Sequence, residues 1–347
     1  MKKNIMIIDD SALMRRVLSD IINKTEQYQV TCTAVNGRDG LEILKQSPQI
    51  HLVFLDINMP YMGGIDVLKA MKRLHINIPT IVFSTIAERS SADTIEALEL
   101  GAVDFLKKPE NILTHMQEFQ DKVYRILAVL DGTDEDPGVV IRQRPERKKH
   151  QHTTGRGKLV ALACSTGGPR ALQEVVPYLP GNLDAPVLIV QHMPEGFTAS
   201  LASRLNDISV ISVKEAADGD ILQNGHVYIA KGGSHLRIAQ ENGQHRIVLG
   251  KDDPVNGLRP YADYMYESLI RSGYDEIICV VLTGMGADGS KGIEKLSRAK
   301  NVHVISQDRE TSTVYGMPKM VAQSGLSDEI VPLDKIAKAI INNTGVC

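Results

Sequence analysis

The sequence predicts an α/β protein built from two doubly wound parallel-sheet domains. Three observations carry that expectation. Short Val/Ile-rich runs alternate with amphipathic stretches, the alternation stops once in mid-chain and then resumes, and 347 residues exceed one ordinary core and suggest about two domains.

In the first region "NIMII" (4–8), "LVFL" (52–55) and "TIVF" (80–83) read as strands. Runs this uniformly apolar are covered on both faces, which is the setting of a parallel sheet. "SALMRRVLSDII" repeats Met14, Val17, Leu18 and Ile21 at helical spacing. From Asp131 to Gly157 the periodicity vanishes. "DGTDEDPGVVIRQRPERKKHQHTTGRG" runs acidic and then basic, with Pro and Gly and few large apolar residues to order it. This defines a first domain over 1–128, a linker over 129–157 and a second domain over 158–347. In the last, "LVALA", "PVLIVQH", "HVYIA" and "IICVVLTG" restore the strand pattern.

Composition narrows the function classes. A net charge of −3 with 23% charged residues provides no basic footprint for nucleic acid. No stretch reaches the roughly 18 apolar residues of a membrane span, and "MKKNIMIIDDS" turns acidic before a signal-peptide core can form. A cytoplasmic protein without direct membrane insertion is expected. Its four cysteines, Cys32, Cys164, Cys279 and Cys347, are widely spaced and suggest neither zinc nor disulfides.

Candidate chemistry in the first domain sits at strand ends. Asp9 and Asp10 follow "IMII", and Asp56 follows "LVFL". In an open parallel sheet ligands bind beyond the carboxyl ends of the strands, so these carboxylates face one crevice. Clustered carboxylates repel unless a cation sits among them, and Mg²⁺ suits such oxygens. Helix capping alone would account for Asp10 and Ser11 but leaves Asp56 unexplained. Ser84 ends "TIVF", and Lys108 precedes Pro109. An acidic pair, a lone Asp, a hydroxyl and a Lys-Pro in this order resemble the receiver domain of two-component response regulators, over residues 1 to 125. That resemblance implies a flavodoxin-like fold in which Asp56 accepts a phosphoryl group. It implies that Asp9, Asp10, Asp56 and the backbone carbonyl of Asn58 hold Mg²⁺, that Ser84 and Lys108 contact the phosphoryl oxygens, and that Phe105 is the switch aromatic.

The second domain must then provide the output. It lacks the small basic helix-turn-helix form of a DNA-binding module. "LACSTGGPR" (162–170) opens a helix as a phosphate-binding turn would, yet the GxGxxG fingerprint of a dinucleotide fold is absent. Ser165 stands at the end of "LVALAC", His192 ends "PVLIVQH", and a turn with three glycines after "IICVVL" delivers Asp288. Singly these residues read as a helix cap, a core histidine and a turn aspartate. Together they are the three kinds needed to activate a nucleophile. Cys164, the neighbouring thiol, is the competing nucleophile, but a Cys in an apolar strand ordinarily has a raised pKa.

"LACSTGGPRAL", "LIVQHMPEGFTASLASRL", "EAADGDILQNGHVYIAKGGSHLRI", "DDPVNGLRPYADYMYESL", "VVLTGMGADGSKGIEKL" and "QDRETSTVYGMPKMV" resemble, in that order, the catalytic domain of the bacterial chemotaxis protein-glutamate methylesterase. The resemblance implies a parallel-sheet domain with a small antiparallel hairpin and no cofactor of its own. It implies hydrolysis of glutamate γ-methyl esters and deamidation of glutamines on methyl-accepting chemotaxis receptors, with a chemotaxis histidine kinase as phosphodonor. Ser165 would attack, His192 would carry the proton, Asp288 would orient the imidazole, and the Met285 backbone N–H is a candidate oxyanion donor. The unphosphorylated receiver would hinder receptor access. Two departures stand out: Ala163-Cys164 where the family usually has Gly-Ala, and Lys231 where it usually has Pro, in the expected hairpin. A receiver-linked binding module with an unused triad remains the rival class.

Overall fold

A computed structural model of the chain describes residues 2–47, 49–84, 88–109, 112–130 and 157–346. The expected linker lies almost wholly outside the described residues, as does Cys347. The chain divides into two compact units, Met1–Asp134 and Glu135–Cys347.

In the first unit strands and helices alternate: β1 (Lys3–Ile8), α1 (Ala12–Asn23), β2 (Tyr28–Ala34), α2 (Gly37–Gln46), β3 (Ile50–Asp56), α3 (Gly64–Arg73), β4 (Thr80–Ser84), α4 (Glu88–Glu99), β5 (Asp104–Lys107) and α5 (Ile112–Leu130). The strands form one parallel sheet in the order β2-β1-β3-β4-β5. That is the flavodoxin-like order, whose switch point falls between β1 and β3. The apolar runs are buried on both faces because helices cover both. Ile5, Ile7, Phe54 and Phe83 are fully buried and pack with Leu18 of α1 and Val123 of α5. Ser11 caps α1, its Oγ accepting the Met14 N–H at 3.3 Å.

The second unit holds β6 (Lys158–Cys164), α6 (Gly168–Gln173), β7 (Val187–Gln191), α7 (Phe197–Ile208), β8 (Ser212–Glu215), β9 (His226–Ile229), β10 (His235–Glu241), β11 (Gln244–Gly250), α8 (Ala262–Ser268), β12 (Glu276–Val281), α9 (Ser290–Ala299), β13 (Asn301–Gln307), α10 (Met317–Gln323), β14 (Glu329–Val331) and α11 (Leu333–Thr344). Seven of its strands make a parallel sheet ordered β14-β13-β12-β6-β7-β9-β8. From β6 the chain winds outward through β7, returns to β12 on the other side of β6, and winds outward again. The crevice beyond the ends of β6 and β12 is therefore the switch point. Fully buried Tyr266 of α8 ties this centre together, its hydroxyl donating towards Ala161 O of β6 (3.3 Å) and Val280 O of β12 (3.2 Å).

The antiparallel hairpin exists, but not where the sequence suggested. β9 belongs to the seven-stranded sheet and β10 pairs with β11 in a separate two-stranded sheet, so the segment carrying Lys231 crosses between sheets. The hairpin turn is Asn242-Gly243, both at positive φ, as a tight reversal between twisted strands requires. Among the described residues no helix is long and apolar enough to cross a membrane.

Candidate functional site

Two clusters merit attention, one at each switch point. In the second unit Ser165 follows β6 and His192 follows β7, and the residues before them, Cys164 and Gln191, are register partners. The His192 N–H donates to Cys164 O at 3.1 Å, so the two strand ends stay side by side. Ser165 does not cap the helix that follows. The N-cap of α6 is Gly167, at φ 77, with no side-chain cap bond. The turn is held through its backbone instead: Ser165 N–H donates to Thr283 O (3.0 Å), while Ser165 O accepts from Gly168 N–H (2.7 Å) and Gln191 Nε2 (3.0 Å). Three bonds on one residue's backbone leave its hydroxyl as its free group for chemistry.

His192 Nε2 lies 2.7 Å from Asp288 Oδ2, with both side chains almost fully buried. A carboxylate acceptor sets the neutral tautomer with the proton on Nε2, which leaves Nδ1 a lone pair. Nδ1 is buried and has no hydrogen-bond partner among the described residues. Asp288 lies well beyond the end of its strand, on the turn with three glycines. β12 stops at Val281, and the Gly-rich loop carries the aspartate on to the residue before Gly289, the N-cap of α9. There its carboxylate accepts the Ala262 N–H (2.6 Å) and Asp263 N–H (3.0 Å) of α8, which fixes its orientation. Met285 is half-buried in the same loop. Gly284 sits so close to the serine turn that a Cβ would stand 2.8 Å from Ser165 Cβ.

Cys164 is fully buried, its thiol donates to Gln191 Oε1 at 3.0 Å, and burial pushes its pKa far up. A thiol that cannot ionise is no nucleophile.

Several polar residues that shape this site escaped the sequence reading. Gln191 is buried, and its Nε2 reaches both Ser165 O (3.0 Å) and His192 O (3.3 Å), joining the two turns through one amide. Thr283 Oγ1 donates to Thr166 O (2.9 Å) and accepts from Val314 N–H (2.9 Å). Gln307 Oε1 receives the Thr283 N–H at 2.8 Å. The one available signal was a polar residue closing an apolar run, as in "VLIVQ"; the partners themselves are backbone groups far away in sequence.

In the first unit Asp9, Asp10 and Asp56 offer carboxylate oxygens all within 4.8 Å of one another. Asp9 and Asp56 are buried while Asp10 is exposed, so the cluster opens to solvent on one side. Lys108 Nζ bridges Asp56 Oδ2 (2.6 Å) and Asp9 Oδ2 (2.9 Å). Burial raises the Asp56 pKa to about 6 against the partial relief supplied by Lys108, and the Asp9 charge adds to the rise. For Lys108 burial works against the ammonium, but the two carboxylates outweigh it and hold its pKa above the usual value. An acceptor-only, solvent-open oxygen cluster of this kind fits a hard divalent cation. Exposed Asn58 donates its N–H to Asp56 Oδ1 at 3.3 Å. Half-buried Phe105 lies in β5 opposite Val82 of β4. Ser84 ends β4, opposite Lys107; its side chain lies outside what is described.

Comparisons with known proteins converge on these two units. A family model described as CheB methylesterase matches residues 160–340, and one described as response regulator receiver domain matches residues 5–119. The chain is 40% identical over 347 residues to the protein-glutamate methylesterase/protein-glutamine glutaminase of Geobacillus kaustophilus (strain HTA426), covering 98% of each chain. It is 40% identical over 351 residues to the similarly named protein of Bacillus subtilis (strain 168), covering 97% of each. The crystal structure of the Thermotoga maritima CheB methylesterase catalytic domain matches with 43% identity and a TM-score of 0.53, covering 55% of this chain and 100% of that one. The buried His–Asp pair beside a pinned serine, the acidic pocket with its lysine and these likenesses together lead to one conclusion: the chain is a hydrolase that belongs to the CheB methylesterase family and carries a response regulator receiver domain ahead of its methylesterase domain.

Proposed function

We propose that the protein removes methyl groups from glutamate γ-methyl esters of chemotaxis receptors in the cytoplasm, deamidates particular receptor glutamines, and is switched by phosphorylation of Asp56. The observation that carries the catalytic part is the buried His192–Asp288 pair at 2.7 Å, with Nδ1 unpartnered, next to the strand end that holds Ser165.

Ser165 Oγ attacks the γ-carbonyl carbon while His192 Nδ1 takes its proton. The charged imidazole is stabilised by Asp288, and collapse of the tetrahedral adduct expels methoxide, which leaves as methanol with that proton. Water then repeats the sequence on the acyl-serine and releases the free glutamate. A glutamine side chain follows the same route with ammonia as leaving group, more slowly, because an amide nitrogen leaves less readily. The Met285 N–H, with no bonded acceptor among the described residues, supports a role as oxyanion donor.

In the receiver, Asp9, Asp10, Asp56 and the Asn58 carbonyl would hold Mg²⁺, which when bound offsets the charge of an incoming phosphoryl group. Asp56 is the acceptor from a chemotaxis histidine kinase, and Lys108 and Ser84 contact the new oxygens. The phosphoryl group adds about −1.5 to −2 charge beside Lys108 and biases the receiver, including Phe105, towards a second state. Residues 129–157 serve as the linker between switch and hydrolase.

The test is methanol release from methyl-labelled receptor membranes. Wild type and Cys164→Ala release methanol and Ser165→Ala does not; a small phosphodonor raises release by wild type but not by Asp56→Asn. Equal release by wild type and Ser165→Ala would leave only the rival reading, a receiver-linked binding module.

A further inference from the structure

Two short helices begin beside the reactive pair, and neither supplies its own cap. The N-cap of α8 is Tyr261 and that of α9 is Gly289, and neither makes a side-chain cap bond. Each helix start is capped by a carboxylate from the other. Asp288, just ahead of α9, accepts the first N–H groups of α8, from Ala262 and Asp263. Asp263, in the first turn of α8, accepts through Oδ1 the N–H groups of Gly289 (3.0 Å) and Gly292 (2.6 Å) of α9.

The exchange closes a ring: Asp288 holds the backbone that carries Asp263, and Asp263 holds the backbone that carries Asp288. Both carboxylates are buried, at 5% and 6% exposure. Gly292 is shaped to this ring, since a Cβ there would stand 2.8 Å from Asp263 Cα and 2.9 Å from its Oδ1. Burying a second carboxylate beside Asp288 is costly, and the two N–H groups donated to Asp263 Oδ1 offset part of that cost.

We infer that Asp263 is a positioning residue for the hydrolytic reaction, locking Asp288, and through it His192, by reciprocal capping of α8 and α9. The inference rests on the reading of His192 and Asp288 as the catalytic pair. Asp263 does not touch the reacting atoms. It fixes the aspartate that fixes the imidazole. Other titratable groups that feel this pair are Tyr261, bonded to Asp263, and the fully buried Tyr266. Lys295 of α9 also feels Asp263. Burial, with the Asp288 charge, holds Asp263 above the ordinary carboxylate pKa, while the Gly292 and Gly289 N–H groups hold it down.

The experiment compares wild type, Asp263→Ala, Asp263→Asn and Ser165→Ala as full chains on methyl-labelled receptor membranes, reading kcat, KM and the pH profile of kcat/KM. Asp263→Ala frees the start of α9 and lowers kcat by about 10²-fold with KM nearly unchanged, the cost of a slightly misplaced catalytic group. Asp263→Asn keeps an acceptor for both N–H groups and recovers most of kcat, as a purely positional role requires. Wild-type kcat in Asp263→Ala would overturn the inference. Should that variant not fold, a folded Asp263→Asn that fails to recover kcat would overturn it. Hydrolysis by Ser165→Ala would instead overturn the triad, which separates the two failures.

Discussion

Cys164 and Ser165 are neighbours in the chain with opposite fates. The strand ends at Cys164, which is buried and hydrogen-bonded to Gln191, while the serine steps out into the crevice on a backbone held from three sides. Replacing Cys164 by Ala should leave methanol release within about twofold of wild type. It should cost about 1–2 kcal/mol in denaturant unfolding, because Gln191 Oε1 loses its donor and a small void opens. Asp56 makes the complementary case in the other unit. Its carboxyl titrates near 6 in the fold against an ordinary 3.8, so the fold favours the protonated form. The stability this group contributes is full below about pH 4 and is lost as pH rises through about 6. At pH 7, Asp56→Asn removes a buried charge and should stabilise the receiver transition by on the order of 1–3 kcal/mol, read by thermal unfolding without divalent cation. No gain over wild type at pH 7 would contradict the burial argument.

At the scale of elements, close backbone approach decides what the turns tolerate. A Cβ on Gly168 would fall 2.0 Å from Gln191 Oε1 and 3.1 Å from Cys164 Cβ. Gly168→Ala should therefore displace the amide that joins the serine and histidine turns. We expect a loss of about 1–3 kcal/mol with a drop in kcat larger than that in Cys164→Ala; wild-type kcat would show that the amide does not set the site. The segment around Lys231 illustrates the same rule. Its shape comes from Gly232, where a Cβ would strike Pro194 O at 2.3 Å, and from the Ser234 N–H bonded to Lys231 O at 3.1 Å. A proline at 231 is not needed to hold it. The apolar runs were legible as parallel strands because burial on both faces removes every polar position from them. The hairpin was misplaced because β9 and β10 are consecutive in sequence yet join different sheets, a distinction no local pattern carries.

For the whole molecule, two units with separate cores imply separable functions. Residues 158–347 expressed alone should hydrolyse receptor methyl esters and show no response to phosphodonor, whereas the full chain responds and Asp56→Asn does not. A response in the shortened chain would place the switch outside the receiver. The solved Thermotoga maritima relative, a catalytic domain by itself, supports the expectation that this unit folds alone.

Much of this protein follows from residue order. Strand ends are where apolar runs stop, and in open parallel sheets ligands bind beyond them, so Ser165, His192, Asp9, Asp10 and Asp56 stood out as candidates, although Ser165 and His192 did so only when taken together. Asp288 was recognisable by type and Gly-rich setting but not by place, since the loop after β12 runs well past the strand. Which nitrogen of His192 meets Asp288, the joining amide of Gln191, and the exchange of caps between Asp263 and Asp288 depend on groups brought together across large sequence separations. Those partners are mostly backbone N–H and C=O groups, identical at every residue, so no side-chain pattern encodes them and only folding selects which of them meet.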